Sequence, residues 1–177
     1  VNIRNSQKSS LLPLCMMLNA RSVYNKADHF KDLYQLSPDL ILVSETWEKQ
    51  RKQLKDIIGT ENYRTVSYYR AGNRTGGGCA IVFNDAKYRV ESLNMDTVYG
   101  VEAVWALLTP KVNSVRSKIK RIAVGSFYVS PTSMYKTATI DHIIESIHLL
   151  RATYDNEVNF LLGGDFNRLN INPILDA

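Results

Sequence analysis

The sequence predicts a mixed α/β domain whose helices pack outside its sheets. Short apolar runs typical of buried strands alternate with segments of helical periodicity, which is the pattern of a layered α/β fold. Two of the apolar runs flank one short basic connector, and this arrangement predicts an antiparallel hairpin. The hairpin argues against a purely parallel, doubly wound sheet. The 177 residues, 45% hydrophobic and 22% charged, have a globular composition and suffice to bury a core.

Apolar runs predict the strands, because strands covered on both faces are nearly continuous in hydrophobic residues. In chain order these runs lie at 11–19, 40–44, 63–69, 79–83, 101–108, 119–129 and 158–162. The run at 63–69 alternates in polarity, as a half-covered strand does. The basic connector 111–118 joins the two strands of the predicted hairpin.

Three segments predict helices. Residues 25–36 and 136–151 carry apolar side chains at helical spacing, and 48–58 resembles a shorter basic helix. The first of these ends before Pro38, because the residue preceding a proline disfavours the helical conformation. A loop rich in glycine and arginine, 70–78, precedes the strand at 79–83.

Composition and motifs narrow the function classes. The net charge of +5 fits an anionic partner such as nucleic acid, and it fits a merely soluble basic protein equally well. No apolar run is long enough to span a membrane and no signal peptide is evident, so we expect an intracellular protein, nuclear or cytoplasmic. The sequence contains no zinc-binding cysteine spacing and no nucleophile-elbow motif.

Polar residues close four of the predicted strands. They are Asn19, Glu45, Tyr128, and Asp165 with Asn167. Functional groups of α/β sheets concentrate at strand ends, so these side chains can converge on one rim. Two carboxylates with amides and a phenol suit a hard divalent ion such as Mg²⁺ and metal-assisted phosphodiester hydrolysis. Taken singly, each acid is better explained as a turn residue, and Tyr128 as a core tyrosine.

Five motifs together give a far more specific indication than any one of them. They are LNARS at 18–22, SETW at 44–47, RTGGGCAIVF at 74–83, SFYVSP at 126–131 and GGDFN at 163–167. The set resembles the endonuclease/exonuclease/phosphatase superfamily, and within it the endonuclease domain of non-LTR retrotransposon polyproteins, which also carry a reverse transcriptase. The resemblance implies a four-layer sandwich of two mixed β-sheets flanked by helices, with the site between the sheets.

The resemblance also implies roles for individual residues. Glu45 matches the metal-binding glutamate of the family, and Asp165 the aspartate that orients or deprotonates the attacking water. Asn167 matches the asparagine beside it. Asn19 matches an asparagine near the metal and the phosphate, and Tyr128 a tyrosine that contacts the scissile phosphate. The implied cofactor is Mg²⁺, with Mn²⁺ as a substitute.

Two departures from the family pattern are informative. Arg21 stands where base-repair members carry an aspartate, which favours the retrotransposon branch. The family's later Asp-His pair is not found before Ala177. We therefore expect residues 11–177 to be a domain that lacks its C-terminal segment and has little activity as it stands. Residues 1–10 are polar and without periodicity, and we expect them to be a lead-in to this domain.

The expected function is a DNA endonuclease that nicks one strand and leaves a 3′-hydroxyl to prime reverse transcription. Its partners would be DNA and a reverse transcriptase domain in the same polyprotein. The basic residues predicted to contact DNA are Arg74, Lys118, Lys120, Arg121 and Arg168. Two alternatives stay open: another hydrolase of the superfamily, acting on phosphoinositide, sphingolipid or poly(A), and a non-catalytic remnant.

Overall fold

The fold is known from a computed structural model that describes residues 13–49, 53–58, 60–70, 76–96, 98–111 and 120–176. Its strands are β1 (Cys15–Asn19), β2 (Leu40–Ser44), β3 (Tyr63–Tyr68), β4 (Cys79–Asn84), β5 (Tyr88–Leu93), β6 (Glu102–Pro110), β7 (Arg121–Tyr128) and β8 (Val158–Asp165). Its α-helices are α1 (Ala27–Gln35), α2 (Leu54–Ile58), α3 (Lys136–Tyr154) and α4 (Asn172–Leu175).

The strands form two mixed sheets of four. The first has the order β1-β2-β4-β3 and the second the order β5-β6-β7-β8. In each sheet one edge strand is parallel to its neighbour, β1 to β2 and β8 to β7, and the other pairings are antiparallel. The predicted antiparallel hairpin is confirmed as β6–β7, although the greater part of its connector, 112–119, lies outside the described residues.

Three hydrophobic clusters separate four layers. The central cluster lies between the sheets and joins residues such as Leu42 and Ile81 of the first sheet to Val104 and Val124 of the second. A second cluster packs α3 on the outer face of the second sheet around Trp105. A third packs α1 and α2 against the first sheet. The expected four-layer sandwich is therefore confirmed.

Most predicted elements are found at their expected places, with shifted ends. The helix predicted at 48–58 is shorter, since only Leu54–Ile58 is helical and residues 50–52 lie outside the described part. Helix α3 extends to Tyr154 and β8 extends to Asp165. Strand β5 was not predicted, because Tyr88–Leu93 mixes polar residues into an edge strand that is half exposed. Among the described residues, no helix is long and apolar enough to cross a membrane.

Candidate active site

The two parallel edge strands bring distant parts of the sequence together. Strand β1 of one sheet packs against β8 of the other, and a Cβ placed on Gly163 would lie 2.9 Å from the Met17 sulfur. Because β1 is parallel to β2, Asn19 and Ser44 end their strands side by side, directly before Glu45. In the other sheet, Tyr128 and Asp165 are register partners at the ends of β7 and β8.

Asn19 lies between the two carboxylates that sequence analysis singled out. Its amide nitrogen donates to Glu45 Oε1 at 2.9 Å and to Asp165 Oδ2 at 2.8 Å. Asn19 is 26 positions from Glu45 and 146 positions from Asp165 in the sequence. Glu45 and Asp165 are only half-buried and Asn19 is exposed, so the cluster is open to solvent. The structure thus brings together one acid from each sheet at a solvent-accessible edge of the molecule. We call this site the rim; its residues are Asn19, Glu45, Tyr128, Asp165 and Asn167.

Asn167 and Tyr128 complete the same rim. The Asn167 amide nitrogen donates to the Val129 carbonyl at 2.8 Å, and its backbone N–H donates to Asp165 Oδ1 at 3.0 Å. Burial raises the pKa of the Tyr128 phenol above its ordinary value, and the negative charge of Glu45 adds to the rise. The phenol therefore stays protonated at neutral pH and is available as a hydrogen-bond donor.

The loops that carry these groups hold unusual backbone conformations. Among the described residues, most non-glycine residues with positive φ lie here: Arg21 (43°), Ser22 (83°), Glu45 (52°), Trp47 (56°) and Asn167 (47°). Each such residue costs on the order of 1–3 kcal/mol and persists only where its surroundings fix it. The surroundings here are backbone hydrogen bonds, including Ser22 N–H to the Glu45 carbonyl at 2.9 Å. The strain supports a functional interpretation of the rim.

A largely buried ion pair between Arg70 and Glu102 holds the glycine segment that hydrogen-bonds to the Glu45 loop. Sequence analysis missed this pair. Glu102 is 6% exposed and accepts a hydrogen bond from Arg70 Nε at 2.9 Å. Its other oxygen accepts the Gly78 backbone N–H at 2.6 Å. The Gly77 and Gly78 carbonyls in turn accept the backbone N–H groups of Trp47 and Thr46, at 2.9 and 3.3 Å.

The glycine run explains why no side chain stands between this pair and the loop. A Cβ on Gly77 would lie 2.4 Å from Glu102 Oε2, and one on Gly78 would lie 2.5 Å from Thr46 Oγ1. Both glycines also have positive φ, which side chains rarely adopt. The three consecutive glycines were the sequence signal that could have revealed this contact.

Replacing Glu102 by alanine tests this support. The variant removes the carboxylate that accepts hydrogen bonds from Arg70 Nε and from the Gly78 N–H in a largely buried place. Because Arg70 is partly exposed, we expect a loss of about 2 kcal/mol of unfolding free energy in urea, less than for a fully buried pair. Glu91→Ala, an exposed glutamate on β5, is the control. An equal loss in both variants would contradict the role of Glu102.

The predicted nucleic-acid-binding residues are not gathered at the rim. Arg168 is exposed and follows Asn167 directly. Lys120 and Arg121 lie at the start of β7, at the opposite end of the strand from Tyr128, and both pair with Glu157. Arg74 and Lys118 lie outside the described residues. The geometry therefore gives Lys120 and Arg121 no support as contacts near the acids.

The donor set of the rim fits a hard divalent cation. Glu45 and Asp165 contribute carboxylate oxygens from two different loops, and Asn19 and Asn167, which both hydrogen-bond to Asp165, each carry a neutral amide oxygen. Among the described residues, no three His, Cys, Asp or Glu side chains cluster as a metal site. Ions such as Mg²⁺ are often held by only one or two carboxylates, with water and substrate completing the shell. The fit is therefore to a site that substrate completes.

The model of the Endonuclease/Exonuclease/phosphatase family matches residues 15–172. The chain belongs to this family. Members of the endonuclease/exonuclease/phosphatase family are metal-dependent hydrolases, and they generally use divalent ions. The matched region contains Asn19, Glu45, Tyr128, Asp165 and Asn167, so the whole rim lies within it. No curated protein sequence matches the chain.

Solved structures of other proteins share the fold of this chain. An AP endonuclease, LMAP, from Leishmania major has a TM-score of 0.64 and 15% identity, covering 85% of this chain and 54% of its own. The endonuclease domain of TRAS1, a telomere-specific non-LTR retrotransposon, has a TM-score of 0.56 and 17% identity, covering 87% and 60%. ANGEL2, a 2′,3′-cyclic phosphatase, has a TM-score of 0.58 and 18% identity, covering 79% and 42%.

At these identities the likeness is one of fold. The chain spans about half the length of the solved structures it matches. These proteins are a retrotransposon endonuclease domain, an AP endonuclease and a 2′,3′-cyclic phosphatase, so the fold alone does not determine the substrate class.

Proposed function

We propose that the chain forms the nuclease core of a Mg²⁺-dependent DNA endonuclease that nicks one strand and leaves a 3′-hydroxyl. The observation that carries the proposal is the Asn19 amide held between Glu45 and Asp165 on an open rim. The resemblance of the five motifs to retrotransposon endonuclease domains, with Arg21 where base-repair members carry an aspartate, favours DNA as the substrate. The proposal includes DNA as partner and a reverse transcriptase domain in the same polyprotein.

Each residue of the rim has a proposed task. Glu45 holds the divalent ion, and Asp165 accepts a hydrogen bond from the attacking water and takes its proton. Asn167, fixed to the Val129 carbonyl, keeps the Asp165 loop in place. Asn19 keeps the two carboxylates at a fixed separation. Tyr128 donates a hydrogen bond from its phenol to a phosphate oxygen, where negative charge accumulates in the transition state.

A divalent ion bound at Glu45 would stabilise the charge of the phosphate and of the departing 3′-oxygen. The residues of the chain supply the rest: two oriented carboxylates, a neutral phenol donor and two amides. This set suits hydrolysis of a phosphodiester by an in-line water. His142 takes no part in it, because its Nε2 accepts a hydrogen bond from Trp105 Nε1 in the core.

The test is a plasmid-nicking assay on the full gene product that contains this chain, with the 177-residue chain beside it. With Mg²⁺ we expect supercoiled DNA to become open circles that DNA ligase reseals, because ligase requires 3′-hydroxyl and 5′-phosphate ends. EDTA should stop the reaction. Release of phosphate from a phosphomonoester or a phosphoinositide vesicle, without nicking, would instead assign another hydrolase of the family. Absence of every activity would favour a non-catalytic remnant.

A further inference from the structure

A cavity of about 640 Å³ opens beside Tyr128, next to the rim. Tyr128 lines it, so it is continuous with the group proposed to meet the scissile phosphate. Its walls come from the end of β3, the segment that enters β6, and the segment that follows β7. A volume of this size is typical of pockets for small ligands, which are about 300–1,000 Å³.

Two tyrosines form an aromatic wall in this cavity. The Tyr99 and Tyr135 rings meet edge-on, with centroids 5.9 Å apart and planes at 84°. Tyr99 is 67% exposed, so its ring surface is largely open. Tyr135 lies directly on Gly100, where a Cβ would come within 2.3 Å of its ring. Gly100 has a φ of 88°, which favours glycine, so the local backbone is shaped to seat this ring.

Apolar and polar groups border the aromatic wall. Met134 is 84% exposed and Val98 is 54% exposed, and both residues line the cavity. Arg70 also lines the cavity, and its guanidinium donates a hydrogen bond from Nε to Glu102 Oε1 at 2.9 Å. The hydroxyl groups of Ser130 and Ser133 also line the cavity. Its surface thus combines a stacking face, a cation and neutral hydrogen-bonding groups.

We propose that this cavity is a subsite for one unstacked nucleobase of the strand whose phosphate lies at Tyr128. The subsite rests on the nuclease proposed above, since that proposal puts the phosphate there. Every base has a π-face, so stacking on Tyr99 accepts any sequence, whereas hydroxyl groups and Arg70 meet the base edge or the adjacent phosphate. The enzyme then binds best where a base is already unstacked, as in single-stranded or distorted DNA.

The mixed lining distinguishes a nucleobase from other occupants. A lipid chain requires a continuous apolar lining, but Arg70, Glu102 and two serines interrupt this one. A second copy of the chain would cover Val98, Tyr99 and Met134 without entering to Tyr128. Because Tyr128 belongs both to the cavity and to the rim, the cavity favours a group that is covalently linked to the scissile phosphate.

The experiment measures binding of a single-stranded deoxyoligonucleotide that carries 2-aminopurine, a base whose fluorescence is quenched by stacking. The full gene product is titrated in EDTA, so no cleavage occurs. We expect quenching on binding, and Tyr99→Ala should weaken the affinity about tenfold and abolish the quenching. Tyr99→Phe should retain both, because it keeps the ring. Leu149→Ala, an equally exposed apolar residue on α3, is the matched control and should behave as the wild type.

Two results would overturn the subsite. They are no quenching with the wild-type protein and equal affinity for Tyr99→Ala. In the nicking assay, Tyr99→Ala should raise KM about tenfold with kcat nearly unchanged, since the residue binds substrate away from the reacting atoms. Because the binding assay needs neither metal nor cleavage, a failure of nicking with intact quenching would reject the nuclease and leave the base-binding site standing.

Discussion

Replacing Asp165 by alanine is expected to abolish nicking by the full gene product. The side chain accepts a hydrogen bond from Asn19 on one oxygen and from the Asn167 N–H on the other, so it is held rigidly at the rim. In the proposed reaction it is the group that takes the proton of the attacking water. Loss of a positioned general base lowers rates about 10²–10⁴-fold, which would put nicking near the background of the assay.

DNA binding should survive this change. Removing a negative charge lessens the repulsion of DNA phosphates, so the affinity measured by fluorescence anisotropy in EDTA should be equal to or higher than that of the wild type. Asp165→Asn keeps the size of the side chain and one of its two acceptor oxygens, so it removes the charge and one accepted hydrogen bond while leaving the packing in place. Asp85→Ala, at the far end of the first sheet, is the control. Nicking that persists in both Asp165 variants would reject the role proposed for this residue.

The pattern of hydrophobic residues explains why so much of the fold was predictable. Leu40–Ser44 and Cys79–Phe83 are buried at every residue, so a continuous apolar run identifies them without knowledge of their partners. Strand β5 escaped detection because its side chains alternate irregularly between solvent and protein. Its place is determined by pairing with β6, a contact that local sequence does not encode.

The motifs predicted which residues form the candidate site, but they did not predict the contacts between those residues. Asn19, Glu45 and Asp165 end apolar strands, and the resemblance gave them a common purpose. Their actual meeting depends on two edge strands packing across the sheets, which is a tertiary property. Arg70 and Glu102 were not predicted, because one follows β3, the other begins β6, and no spacing in the sequence connects them.

The cavity beside Tyr128 was equally hidden from sequence. Tyr99 and Tyr135 are 36 positions apart and are joined only when the entry to β6 meets the start of α3. An exposed tyrosine in a sequence carries no specific signal, because tyrosines are common both on surfaces and in cores. Function at this place could therefore be inferred only from the assembled structure.

Gly164→Ala is expected to destabilise the fold more than any other single methyl group added near the rim. Gly164 has a φ of 140°, and a Cβ there would lie 2.1 Å from the Phe127 carbonyl oxygen and 2.8 Å from the Phe127 nitrogen. Both atoms belong to the backbone of β7, which pairs with β8 at this point, so neither can move without breaking the ladder. Backbone strain and overpacking each cost about 1–3 kcal/mol, which gives a combined loss of about 4 kcal/mol.

Gly163→Ala is the matched control for this prediction, because it adds the same methyl group one residue earlier. The nearest atoms there are Leu42 Cδ1 at 2.7 Å and Met17 Sδ at 2.9 Å. Both are side-chain atoms rather than backbone, and Met17 is 68% exposed, so a small shift of these side chains makes room without breaking the ladder. In thermal unfolding of the 177-residue chain, we expect Gly164→Ala to lower Tm by about 10 °C and Gly163→Ala by a few degrees at most. A smaller shift for Gly164→Ala than for Gly163→Ala would mean that β7 and β8 are not held as closely as described. The geometry of Asp165, the next residue along β8, would then lose its structural basis.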